Sequence, residues 1–494
     1  MALRLYNTLT RKIEDVAPTA DSKITLYTCG PTVYDHPHVG NWTSFVYWDI
    51  LVRALLASDH TVERVMNITD VGHLVSDADE GEDKLEKGAR REGKTAWEIA
   101  EFYAEDFMNG MEKLGMIVPE HVVKATDFIP QQLDLVRILK EKGYTYQRTG
   151  GIYFDTSKFP SYADFAHLDL EAQKAGARVE EDAEKRQPWD FALWKFTPDG
   201  ETRDMQWETP GDLLELPVTA DEGSNSAVMG FPGWHLECSA MAMSILGPTI
   251  DIHTGGIDHI PVHHTNEIAQ SEAASGQQFA RYWVHNNHLK IDGGKVSKSL
   301  GNGYTLQDLA QRGFGPMDLR MFILQSQYTN EGNFTFDNLT AAARRLANWR
   351  NYAALRHQTH DGSASDASKS DDDDAASFTT SSDAMHEALM NNLNTPEALK
   401  IIDESFARLD AIPLESIHQH GLVRFLEAID SYLGLQLLAH TPDISDDAKR
   451  VILERQRARD AKDWAKSDKL RDVLAAQGIT VRDTASGTIW SYTN

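Results

Sequence analysis

The sequence predicts an α/β protein: a domain on a parallel sheet, interrupted by an inserted unit and followed by C-terminal helical modules. Three observations carry this. Residues 24–68 read strand, turn, helix, strand, a βαβ unit that calls for parallel pairing and a right-handed crossover. Residues 250–300 return to strand–loop–helix alternation after a different pattern over about 90–230. Beyond residue 300 the apolar spacing is largely helical.

Element by element, Ile24-Thr-Leu-Tyr-Thr-Cys29-Gly30 is a short apolar run that stops at a Gly-Pro turn. Phe45, Trp48, Leu51 and Leu55 then recur at helical spacing within 42–57, and 62–68 reads as the next strand. Residues 95–145 carry a helical pattern, while 150–230 mixes turns and short strands, with Trp189, Trp194 and Trp207 as core anchors. The first domain is therefore placed at 1–300, with the insertion at about 90–230, and a helical region at 301–356. Residues 357–384 are poor in apolar side chains and rich in Ser, Thr and Asp, including four successive aspartates from Asp371. Such a stretch cannot bury enough surface to offset its ordering entropy, so it reads as a linker or disordered loop. A helical bundle is expected over 385–445, its helical run opened by Thr395-Pro396-Glu397. The last module, 446–494, starts with a long basic helix and ends in Thr488-Ile-Trp490-Ser-Tyr492.

The chain has 494 residues, 41% of them hydrophobic, which is ordinary for a globular protein with a large core. No apolar run approaches the ~20 residues a membrane-spanning helix needs. The first residues show no apolar targeting segment, so a cytoplasmic location with reduced thiols is expected for the two cysteines, Cys29 and Cys238. The formal net charge of −27 argues against a nucleic-acid binder that uses its whole surface. Residues 449–471 run the other way, with nine Lys or Arg against four acids. That local excess is the best electrostatic footprint for an RNA backbone, although a mixed-charge helix face is more often only solvated. Trp464, Trp490 and Tyr492 are candidates for stacking on unpaired bases or for the core.

Both cysteines sit in dense motifs. Cys29 lies in Tyr27-Thr-Cys-Gly-Pro-Thr-Val-Tyr-Asp35; Cys238 lies in Gly233-Trp-His-Leu-Glu-Cys-Ser-Ala-Met241 and is followed by His263-His-Thr-Asn-Glu267. Thiolate, imidazole and carboxylate are the groups zinc accepts. His263 and Glu267 are four apart, one helical turn on one face. Lone cysteines are more often small buried hydrophobes, and His253, His259, His264, His285 and His288 compete for the imidazole role. Two further strings suit phosphate. His38-Val-Gly40-Asn41 follows a strand and opens a helix, where backbone N–H groups and the dipole favour anions and Gly40 permits close approach. Lys295-Val-Ser-Lys298-Ser sits in a Gly-rich stretch that can close over a polyphosphate.

In this order and spacing, with Asn67-Ile-Thr-Asp70 between them, the motifs resemble a cysteinyl-tRNA synthetase, a class I aminoacyl-tRNA synthetase. The resemblance runs from Leu5-Tyr-Asn-Thr-Leu-Thr to Lys462-Asp-Trp-Ala-Lys-Ser-Asp and Gly487-Thr-Ile-Trp, nearly the whole chain. It implies a Rossmann-like catalytic domain with an inserted connective domain, followed by C-terminal all-α tRNA-binding domains, the last touching the anticodon. It places the zinc ligands at Cys29, Cys238, His263 and Glu267, and the catalytic groups at His38, Asn41, Lys295 and Lys298. Gly30, His38, Gly40, Asn41, Asp258 and Lys298 fall on the ATP side; Thr69, Trp234 and His253 fall on the cysteine pocket. Zn2+ and, with ATP, Mg2+ are the implied cofactors; ATP, L-cysteine and tRNA(Cys) are the implied partners of a monomer. Asn41 stands for the second histidine of the HIGH motif, Val296 for the methionine of KMSKS, and Thr265 for a glutamate; Thr254 stands where glycine is frequent, and Gly72-His73-Leu74 replaces an acidic run.

The implied chemistry is attack of the cysteine carboxylate on the α-phosphate, then transfer of the cysteinyl group to the terminal ribose. A plain pocket separates serine from cysteine poorly, whereas zinc softness favours the thiolate. Three readings compete. A cysteine ligase paralogue acting on a small amine would lack 385–494, a zinc hydrolase would not need two phosphate signatures, and a non-catalytic tRNA-binding paralogue would not need both loop lysines.

Overall fold

The computed structural model describes residues 2–19, 23–72, 84–169, 185–198, 200–201, 203–215, 227–296, 301–359, 369–484 and 487–493. Five parallel strands form the central sheet: β1 (Lys23–Thr28), β2 (Thr61–Ile68), β3 (His121–Lys124), β4 (Ile250–Gly256) and β5 (Ala280–Asn286). Their order is β5-β4-β1-β2-β3. The chain winds outward from β1 in one direction, then returns to the other side of β1 with β4 and β5. β1 and β4 therefore flank a topological switch point, the place where open α/β sheets bind ligands beyond their strand ends.

The strands read as apolar runs because both sheet faces are covered. Ile24, Leu26 and Tyr27 of β1 are fully buried. Helix α1 (Val39–Ala57) crosses from β1 to β2 and buries thirteen of its nineteen residues. Helix α2 (Ala96–Lys113) begins at a Thr95/Glu98 capping box and stacks Phe107 on Trp42 of α1. β3 corrects the expected start of the insertion. Residues 121–124 pair with β2, so 90–124 belongs to the parallel domain and the inserted unit starts after it. That unit is an antiparallel sheet in the order 145–148, 151–154, 191–196, 229–232, 207–208. Its anchor is Trp194, fully buried and donating Nε1–H to Thr209 Oγ1 at 2.9 Å; Trp189 and Trp207 are only partly buried.

The insertion returns through helix α3 (Trp234–Leu246), β4, a short π turn (Ile260–His264) and helix α4 (Thr265–Ser275). Thr265 Oγ1 donates to Ile260 O at 2.7 Å and closes that π turn. The helical part starts at Leu306–Gln311 and continues through helix α5 (Pro316–Leu324), Phe336–Ala354, Lys369–Met390, Thr395–Leu409 and helix α6 (Gln419–Leu433). The helix from Lys369 begins inside the segment expected to be a linker, 357–384, and runs on past its end; Phe378 and Met385 are buried and hold its second half in the bundle. Residues 360–368 lie outside the described residues.

The last module starts with a basic helix, Asp446–Asp460, as expected, but a second helix, Trp464–Ala475, follows it, and an antiparallel hairpin, Ile479–Thr484 with Gly487–Tyr492, corrects the all-α expectation for this module. Trp490 is buried in its core, while Trp464 is 56% exposed. Arg455 is buried and gives two hydrogen bonds to Asp483, at 2.7 and 2.8 Å; Arg459 approaches the same carboxylate at 3.0 Å. These two cations serve the fold, and Arg450, Arg457, Lys462, Lys466, Lys469 and Arg471 are the exposed ones. The Arg455 hydrogen bonds hold the Asp483 carboxyl down at about 2. A lowered folded-state pKa stabilises above the unfolded value near 4 and is lost as pH falls toward 2. Asp483→Asn should therefore lower the thermal midpoint of the module at neutral pH and narrow its gap to wild type on acidification; an equal gap at pH 7 and pH 3 would contradict this.

Candidate active site and metal centre

A cleft of about 630 Å³ opens at the carboxyl ends of β1, β4 and β5. Cys29 and Gly30 line it from β1, Gly255 and Gly256 from β4, and Asn286 from β5. His38, Gly40 and Asn41 line it from the start of α1, and Asp258, Lys295 and Val296 from later loops. Gly30 is required by close approach: a Cβ there would lie 1.6 Å from the Asn67 carbonyl oxygen.

Beside this cleft, four side chains from three distant segments meet. Cys29, Cys238, His263 and Glu267 are all buried, with ligand atoms within 4.8 Å of one another. β1 delivers Cys29, α3 delivers Cys238, and the π turn running into α4 places His263 and Glu267 one turn apart. The cysteines are free thiols. Burial pushes the Cys29 thiol up, with the Glu267 charge adding to it and the contact with Cys238 working the other way. Cys238 is pushed well up by its contact with Cys29 and by burial, because a second thiolate without a cation is repelled in a dry pocket. Burial also pulls the Glu267 carboxyl upward, but His253 and His263 outweigh it and hold the group well below its usual range. Burial opposes protonation of His263, yet Glu267 and Cys238 raise it to about 10.

The donor set fits a cation. Two sulfurs, an imidazole and a carboxylate are zinc's ligand types in zinc's number. Glu267 Oε1 is buried with no hydrogen-bond partner, although His263 Nε2 stands 2.8 Å away. The surroundings orient each group. His253 Nε2 contacts Glu267 Oε2 at 2.6 Å, and His235 Nδ1 contacts His263 Nδ1 at 3.0 Å, which turns His263 Nε2 toward the carboxylate. Such supporting partners fix ligand orientation in metal sites. His264 approaches Cys29 Sγ at 3.6 Å and joins His285 at 2.7 Å.

On the phosphate side, His38 is the N-cap of α1. Its Nδ1 accepts from the N–H groups of Gly40 and Asn41, at 3.1 and 3.2 Å. The Asn41 amide oxygen accepts the His38 N–H at 3.0 Å, closing the capping box. In the neutral ring the proton therefore sits on Nε2. Asn41, expected to hold phosphate, spends its carbonyl on the cap. The stem after the lysine loop docks here: Val39 N donates to Tyr304 O at 2.8 Å, and His38 bridges Thr305. Lys295 is exposed at the cleft; Lys298 lies outside the described residues. Asp258 also lines the cleft and pairs with His288 at 3.1 Å.

The three expected cysteine-pocket residues lie behind the cleft lining. His253 is fully buried, stacked on Trp283 and bound to Glu267. Trp234 packs against His263 with the rings tilted and their centroids 4.3 Å apart. Thr69 is buried and accepts from Asn67 Nδ2 at 2.9 Å. Sequence reasoning missed Asn67 itself, whose Oδ1 also accepts the Gly30 N–H at 2.8 Å and so ties the first motif to the second strand; the motif around Thr69 was its only signal. His36 and Asp106, a hydrogen-bonded pair at the cleft, were missed as well.

Comparison with known proteins accords with this geometry. A family model described as the class I (C) tRNA synthetase catalytic domain matches residues 15–344. A second, the cysteinyl-tRNA ligase anticodon binding domain, matches 441–490. A cysteine–tRNA ligase of Treponema denticola is 38% identical over 516 residues, covering 99% of both chains. Cysteine–tRNA ligase 1 of Burkholderia lata is 40% identical, covering 99% of this chain and 96% of that one. Among solved structures, Mycobacterium tuberculosis methionyl-tRNA synthetase with methionyl-adenylate superposes with a TM-score of 0.59 at 14% identity, over 84% of this chain and 92% of that one, a likeness of fold. The full-length matches and the anticodon module leave no room for the small-amine ligase or the hydrolase. The chain belongs to the cysteine–tRNA ligase family of class I aminoacyl-tRNA synthetases.

Proposed function

We propose that this chain activates L-cysteine with ATP at the cleft beyond β1 and β4 and then charges tRNA(Cys), with zinc held by Cys29, Cys238, His263 and Glu267 selecting the thiol. The observation that carries this is the convergence of four buried ligand side chains beside a cleft lined by the His38 cap and Lys295. Zinc bound there supplies a soft Lewis acid that prefers a thiolate to a hydroxyl.

The chain's own residues do the rest. The cysteine carboxylate oxygen forms a bond to the α-phosphorus of ATP as the bond to pyrophosphate breaks. The N-terminus of α1 and the Nε2–H of His38 face the phosphates, and Gly40 leaves the backbone open to them. Lys295 and Lys298, with the Mg2+ that accompanies ATP, neutralise charge on departing pyrophosphate. Asn67 positions Thr69 and the Cys29–Gly30 turn; His253 orients Glu267, and Trp234 packs on His263. The exposed cations of 446–494 face the tRNA phosphates. The reduced, unpaired cysteines support a cytoplasmic setting.

Two assays test this. ATP–pyrophosphate exchange with cysteine against serine should show strong preference for cysteine, with about one zinc per chain. Lys295→Ala should lower exchange by about 10²-fold, the size typical of losing one transition-state donor, with zinc content intact. Wild-type exchange in that variant would move the chemistry out of this cleft.

A further inference from the structure

We infer that His36, oriented by Asp106, takes the proton of the tRNA terminal ribose hydroxyl during the transfer step. This rests on reading the cleft as the active site.

His36 lies between Asp35 and Pro37 on the turn from β1 to α1 and lines the same cleft as His38 and Lys295. Its Nδ1 is 2.9 Å from Asp106 Oδ2 on α2. Its ring meets Tyr103 edge-on at 5.0 Å, and its backbone N–H donates to Asp35 Oδ1 at 2.9 Å. Backbone, aromatic edge and carboxylate together fix the ring while 37% of the side chain stays open. A carboxylate at Nδ1 accepts a proton from it, so the neutral ring presents a lone pair at Nε2. No described residue hydrogen-bonds that nitrogen.

The chemistry of the other cleft groups makes this acceptor distinctive. His38 uses its lone pair on the α1 cap and presents a donor. Lys295 is a donor. The carboxylates Asp258 and Glu331 are paired with His288 and Lys290, Asp35 accepts the His36 N–H, and the His259 ring is packed against Trp234, His263 and His264. His36 Nε2 is thus a basic acceptor beside groups arranged for anions. Ribose hydroxyls are the donors that reach such a site, from ATP or from the tRNA end. Only the tRNA hydroxyl loses its proton in the reaction, and a carboxylate-backed imidazole is suited to receive one. In that step the ribose oxygen bonds to the aminoacyl carbonyl carbon, the acyl–phosphate C–O bond breaks, and AMP leaves with the electron pair. The hydroxyl proton passes to Nε2 and then to solvent, the imidazolium being held meanwhile by Asp106.

The test uses the zinc-loaded full chain with His36→Gln and Asp106→Asn. Single-turnover transfer from preformed cysteinyl-adenylate to tRNA is compared with ATP–pyrophosphate exchange. His36→Gln should slow transfer by about 10²-fold, the low end for a general base, while exchange falls far less. Asp106→Asn should slow transfer by a smaller factor, with the same split, and Asp106→Glu should recover part of it. Equal losses in both reactions with a lowered melting temperature would make the pair only a strap between turn and helix, and would overturn the inference. So would a raised KM for ATP with transfer intact, or no change in either assay. Loss of exchange in Lys295→Ala alongside such a result would leave the active-site reading standing.

Discussion

Cys238→Ala protein should purify without stoichiometric zinc and lose cysteine-dependent pyrophosphate exchange by about 10²–10³-fold, the several kcal/mol a Lewis-acid metal supplies. The reason is the pocket's charge. Cys238 is 2% exposed and contacts both Cys29 and His263. A dication with two thiolates and one carboxylate nets about −1 and satisfies every buried group at once. Remove one sulfur and three ligands remain, without the closed tetrahedral set. Glu267→Gln keeps the volume, removes the charge and leaves His253 and His263 without a carboxylate partner, so it should also release metal even where the alanine variant misfolds. A variant lacking either side chain but keeping wild-type zinc and discrimination against serine would end the metal assignment.

Acid should release the metal as well. Burial raises Cys29, contact with Cys29 and burial raise Cys238, and Glu267 and Cys238 raise His263 to about 10, so in the metal-free pocket all three hold protons at neutral pH. Those protons leave when the cation enters, so affinity rises with pH and falls on acidification. Zinc retained after dialysis should fall steadily as the buffer is made more acidic.

How much of this was readable beforehand depends on how local each signal is. The β1–turn–α1–β2 unit was legible within three residues at each boundary, because a buried parallel strand is a continuous apolar run and α1 carries its own cap. The four candidate ligands were legible as motif residues, and their meeting was implied by the family resemblance, not by spacing. Cys29 and Cys238 come together only because α3 follows a sheet insertion that returns to β4. The strand at 121–124 was missed because four residues between two helices carry too little alternation to register. The helix from Lys369 was missed because its first half is Asp and Ser, and only Phe378 and Met385 farther on reveal a buried side. His253 was assigned to the substrate pocket, but its bond to Glu267 depends on the rotation of α4, which composition does not encode. The least legible contact of all joins residues 271 apart.

That contact sets the largest stability effect expected outside the cleft. Asp49→Asn should destabilise the protein by about 3–5 kcal/mol, the usual result of stripping one partner from a buried ion pair. Asp49 sits on α1 with its side chain 1% exposed, and binds Arg320 of α5, which is fully buried. Burial works against the Asp49 charge, but Arg320 and Arg53 outweigh it and hold the carboxyl below its usual range. The same carboxylate accepts Arg53 Nε–H and the Ile117 N–H, each at 2.7 Å. The arginines spend their remaining donors on helix ends: Arg320 on Leu433 O and Leu114 O, Arg53 on Gly115 O and Ser431 O. Four helices, α1, α2, α5 and α6, thus share one buried charge, and the cations lie where the α2 and α6 dipoles favour them. An amide at position 49 keeps the shape but leaves two guanidinium groups uncompensated. Replacing both partners, Asp49→Asn with Arg320→Met, should cost less than the sum of the single changes, because the second substitution removes a charge that the first one stranded. Urea midpoints across this cycle measure the coupling; strict additivity would mean the two side chains are neighbours without being partners.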